Sequence, residues 1–69
     1  AEEALELIKR LLEREYRGRD IPPETVELRA RRLLTMVVGL ATETVFDPDG
    51  WPPERQRAVL ADELATVAP

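Results

Sequence analysis

The side chains able to do chemistry in this sequence are mostly carboxylates. Glu2 with Glu6, and Glu24 with Glu27, sit at spacings that put both members on one helix face. Paired carboxylates can relay protons or hold a cation, but on an exposed helix they are ordinary solvated charge. Asp47-Pro48-Asp49-Gly50 invites a calcium reading, which fails on spacing: an EF-hand loop needs further oxygen ligands and a closing bidentate Glu, whereas this chain runs into Trp51-Pro52-Pro53. The stretch reads as turn chemistry. Arg29, Arg31 and Arg32 form the densest basic cluster, but a helix spreads them, with Arg29 bordering the apolar arc and the other two pointing away. A solvated or ion-paired face follows, with Arg29 still able to reach a carboxylate across an interface.

Nucleophilic catalysis has no visible machinery. His, Cys and Ser are all absent, and Thr25, Thr35, Thr42, Thr44 and Thr66 lie in helical runs without an activating base. Phosphate-cradling glycine motifs are missing as well. The expectation is no enzyme, no catalytic residue, no metal and no cofactor. Without cysteine, the chain has neither disulfides nor thiolate metal sites.

With 69 residues the chain has room for one domain, read as residues 1–69, with a core that supplies little stability unaided. Hydrophobic residues at 43% argue for folding, and aromatics at 4% leave the core to Leu, Val, Ile and Ala. The net charge of -4, from 14 acids and 10 bases spread along the chain, argues against direct nucleic-acid binding. The apolar run Met36 to Ala41 is far too short to span a membrane. No signal peptide is visible, and the opening on Ala1 rather than Met suits a trimmed or excised fragment.

Three helices position these residues. The first, about residues 1–17, has the seam Ala1, Leu5, Ile8, Leu12 and Tyr16, widened by Ala4 and Leu11. Acids lead and bases follow, giving pairs such as Glu6 with Arg10, and Gly18 provides the left-handed residue that ends it. "IPPE", Ile21 to Glu24, and "WPPE", Trp51 to Glu54, are helix starts: proline suits the first turn and disfavours helix in the residue before it. Ile21 is placed to fold back on Val26, and Trp51 to plug the second corner.

The second helix, about residues 23–46 and roughly 35 Å long, carries Val26, Ala30, Leu33, Leu34, Met36, Val37, Val38, Ala41 and Val45 over an arc of about 200°. One neighbour cannot cover that. Gly39 lies on the opposite, more polar side; the reading is close approach of another backbone, the alternative a tolerated glycine with no partner. The third helix, about residues 53–67, reads as a cover helix with a stripe of Leu60, Leu64 and Val67 backed by Ala58, Ala61 and Ala65. The fold class is therefore all-α, three helices with a long buried central one, pairing as a four-helix-bundle homodimer. Leu5, Ile8 and Leu12 of the first helix would meet Leu33, Val37, Leu40, Ala41 and Thr44 of the second across that interface.

The stretch from Ala30 to Leu64, with Arg32-Leu33-Leu34 before the small-residue segment Val37-Val38-Gly39-Leu40-Ala41, an Asp-Pro turn, and "WPPERQRAVL" opening the last helix, resembles the C-terminal end of TetR-type transcriptional repressors. The likeness extends weakly to the preceding "RDIPPETVELRA" and covers half to two-thirds of the chain. It implies an all-α regulatory domain whose last long helices pair with a second subunit, and it places Leu33, Leu34, Val37, Gly39, Leu40 and Ala41 on the dimer helix. It also implies a cytoplasmic setting. Val38 departs from the family, where an acid often precedes the glycine. The helix-turn-helix that reads DNA is absent from these residues, so DNA binding does not carry over. The regular first helix looks less family-like; it reads as part of an engineered or excised dimerisation unit, with a natural relative that has a regular helix there as the alternative.

The resulting expectation is a homodimerisation module whose partner is a second copy, with no nucleic acid, membrane or small-molecule partner. The alternative is a helical adaptor that accepts a foreign amphipathic helix on the same wide face. A small-molecule remnant lined by Met36, Phe46 and Trp51 would need a larger chain to enclose it.

Overall fold

The computed structural model describes residues 2–67, all of whose regular structure is helical: α1 is Glu2–Glu15, α2 is Pro23–Phe46, a single 3₁₀ turn is Pro48–Gly50, and α3 is Pro53–Val67. Ala1, assigned above to the first seam, lies outside the described residues. The proline pairs act as anticipated and do so identically. The Pro22 carbonyl accepts from the N–H groups of Thr25 and Val26 at 3.0 and 3.2 Å, and that of Pro52 from Arg55 and Gln56 at 2.9 and 3.1 Å. The second proline of each pair thus occupies the first helical position, where its missing N–H leaves no bond unmade.

α1 stops two residues earlier than its pattern predicts. The chain turns through residues 16–18, and Gly18 has φ +82, the left-handed conformation glycine adopts without steric cost. α2 ends at Phe46 because Pro48 cannot continue the ladder; Asp47 caps the following 3₁₀ turn by accepting from the Gly50 N–H at 3.1 Å. A Cβ on Gly50 would meet the Asp47 carboxylate, so a larger residue there would displace the side chain that caps the turn.

The chain folds as two compact units, one running to Leu34 and the other from Thr35. In the first, α1 and the start of α2 bury Leu5, Leu12, Tyr16, Val26, Ala30 and Leu33, each worth about 1.5–3 kcal/mol for the larger side chains. Lys9 reaches Glu27 at 3.4 Å, and Arg29 donates to the Tyr16 hydroxyl at 3.1 Å while its guanidinium lies 5.5 Å from the ring centroid. Arg29, expected to be free for an interface, is thereby engaged inside its own unit. Leu11 does not widen the seam: it projects to the flank with Leu7, and both are exposed.

The second unit is covered less fully. On α2 the half-buried side is Met36, Leu40 and Thr44; on α3 it is Gln56, Val59, Leu60 and Glu63, with Val67 buried. The expected stripe on α3 is therefore covered in part only, because Leu64 and the backing alanines Ala58, Ala61 and Ala65 are exposed. Within the single chain, full burial holds for the N-terminal part of α2 alone, and the C-terminal part has only a half-buried side. Trp51 does plug its corner: its indole N–H donates to Glu43 at 3.4 Å, and its carbonyl accepts from the Gln56 amide at 2.8 Å.

Candidate self-association surface

From Leu33 to Thr42, α2 has no charged residue, and Glu43 is the sole charge as far as Phe46. A helix apolar on every side is normally a buried one. In the second unit much of it faces water: Val37 is 46% exposed, Val38 56%, Val45 75% and Phe46 81%. The polar atoms in the stretch are turned inward. Thr42 donates its hydroxyl to the Val38 carbonyl at 2.9 Å and Thr44 to that of Ala41 at 2.7 Å, so neither hydroxyl needs a further partner. The result is an exposed surface needing almost no polar complement.

Helical projection resolves this surface into two adjoining strips. Val37, Val38, Ala41 and Val45 form one; Thr35, Gly39, Thr42 and Phe46 form the other, at spacings of four, three and four residues. Nothing lies within 4 Å of where a Cβ on Gly39 would sit. The proposed interface residues thus divide by environment. Leu5, Leu12 and Leu33 are buried within the first unit; Ile8, Leu34, Leu40 and Thr44 are half-buried; Val37, Gly39 and Ala41 are exposed. Phe46 and Leu64 were missing from the sequence-derived set, although the lone charge between Leu33 and Phe46 already pointed to the first of them.

Charge gathers elsewhere, in the first unit. Glu27 accepts from Lys9 at 3.4 Å and from Arg31 at 3.3 Å, and Lys9 also lies 3.8 Å from Glu6. Glu6 therefore pairs with the base three residues on, where the sequence suggested Arg10. The bonds from Lys9 and then Arg31 hold the Glu27 carboxyl below its usual range. Beside this cluster runs an open groove of about 440 Å³, lined by Lys9, Glu13, Pro23, Glu24, Val26, Glu27, Leu28 and Arg31. None of the three residues of the small-molecule reading, Met36, Phe46 or Trp51, lines it. Among the described residues no three acidic side chains gather as a metal ion would require, and no helix is long and apolar enough to cross a membrane.

Neither the curated proteins nor the solved structures yield a match. The sequence profile of the BetI-type transcriptional repressor C-terminal region does match, over residues 1–69. That span includes α1, which had looked the least family-like part. The chain belongs to the family of C-terminal regulatory domains of BetI-type, TetR-related transcriptional repressors.

Proposed function

We propose that the chain is a homodimerisation module of a repressor's regulatory domain, working as a single all-helical domain, and that a second copy covers the exposed face of α2. The observation carrying this reading is the uncharged run Leu33 to Thr42, whose Val37 and Val38 stand in water. Contiguous exposed apolar surface on a folded chain marks an interaction site, and members of this family are read as paired subunits.

A four-helix bundle remains the proposed assembly, with one change of emphasis. Leu5 and Leu12 are already buried against their own chain, which favours α2 and α3 over α1 as the helices offered to the partner. The exposed part of the arc, Val37, Val38, Ala41 and Val45, is offered to the partner's α2 and α3, with Leu64, Ala61 and Ala65 as the exposed contribution of α3. Val37, Ala41, Leu40 and Thr44 fall within or beside that arc.

Sedimentation velocity of the Val45→Glu variant tests this. Val45 is 75% exposed, so the carboxylate costs the single chain little, whereas burial at an interface would cost several kcal/mol. A helical monomer where the parent is a dimer is the expected result. Unchanged association of the variant would show that the surface lies elsewhere.

A further inference from the structure

We infer that Gly39 is a socket for Phe46 of a second copy, in an antiparallel, twofold-symmetric crossing of two α2 helices centred near Thr42. This rests on the self-association reading and extends it to the strip of α2 that adjoins the Val37–Val45 face.

Three observations meet here. Gly39 and Phe46 lie seven residues apart on one strip of α2, which is two turns or about 10.5 Å along the axis. The position above Gly39 is open, with nothing within 4 Å, while the Phe46 ring is 81% exposed. A hole and a knob on one face of one helix are self-complementary under a twofold axis: in an antiparallel pair each Phe46 lands on the other copy's Gly39, and each contact occurs twice. Between them stands Thr42, its hydroxyl already bonded to the Val38 carbonyl, so the centre of the crossing needs no further polar partner.

Charge selects the antiparallel direction. The chain just past this strip is acidic, with Asp47 and Asp49. Parallel pairing would set these acids beside their own copies, whereas antiparallel pairing sends them to opposite ends of the contact. The glycine also gains a reason. In an exposed mid-helix position it weakens the helix relative to alanine, and the single chain gives nothing in return. Close approach of a second helix accounts for it.

The test compares dimer dissociation constants, by sedimentation equilibrium, for the parent chain, Gly39→Ala, Phe46→Ala and the double variant, with thermal melts at concentrations below dissociation. Gly39→Ala should melt no lower than the parent, since its methyl group has room in the single chain, yet dimerise about ten-fold more weakly. Phe46→Ala should weaken the dimer by roughly a hundred-fold. The double variant should lose little beyond Phe46→Ala alone, because the added methyl fills space the ring has left. If the parent dimerises while Gly39→Ala dimerises as well or better, or if the two effects simply add, the socket is wrong and the self-association reading stands. A parent that stays monomeric overturns both.

Discussion

The two halves of α2 meet water differently. Val26, Ala30 and Leu33 are buried, each below a tenth exposed, whereas Val37, Val38 and Val45 range from about half to three-quarters exposed. One continuous helix, Pro23–Phe46, thus has an N-terminal half with a covered stripe and a C-terminal half largely without one. The distribution of charge explains why both belong to a workable protein. Glu24, Arg31 and Arg32 give the first half a solvated side and Glu27 and Arg29 pair with Lys9 and Tyr16; the second half has only Glu43. The first half is patterned for one neighbour and water, the second for neighbours on most sides.

Substituting a carboxylate into each half sharpens this contrast. Leu33→Glu should have the largest effect, because Leu33 is 8% exposed and an unpaired buried carboxylate costs several kcal/mol. Loss of the helical circular dichroism signal is expected; a fully folded variant would show that the first unit has no real core. Val38→Glu should instead keep its helix and lose its partner, with dimer affinity falling by roughly a hundred-fold or more in sedimentation experiments. Equal unfolding by both would erase the distinction between the halves.

A smaller effect is expected at the corner that closes the first unit. Gly18→Ala forces a side chain into φ +82 and should cost about 1–2 kcal/mol, read as a lower Tm with unchanged stoichiometry. The smallest concerns Glu27. Because Lys9 and Arg31 hold its folded pKa below the unfolded one, its contribution is fully present above the ordinary carboxylate range and is lost as pH falls through the folded value. Glu27 is half-exposed, so the effect is slight and salt-sensitive. Melting Glu27→Gln alongside the parent should show a shallower acid decline in the variant, and parallel curves would remove the ion-pair contribution.

The helix boundaries were legible because they rest on local chemistry. Pro22-Pro23 and Pro52-Pro53 fix two starts, Gly18 and Pro48 two ends, and none depends on distant contacts. Burial was legible only where the pattern had one face. Along α1 and into the turn after it, Leu5, Leu12 and Tyr16 share a seam flanked by charge, and all three are buried. Along the uncharged half of α2 the apolar arc was too wide to single out one core side, so nothing local distinguished Leu40, half-covered in its own chain, from Val37 beside it. On α3 the expected stripe could not reveal that Leu64 stays exposed while Val67 is buried. The Arg29–Tyr16 contact joins residues 13 apart and follows from tertiary proximity, which no helical period encodes.

Sedimentation equilibrium of the parent chain over a range of concentrations bears most directly on whether the bare half of α2 is an interface. A mass of twice the 7.8 kDa of one chain at micromolar concentration and above is expected. A mass that stays at 7.8 kDa throughout, with helical signal intact, would mean that Val37, Val38 and Val45 are content in water and would contradict it.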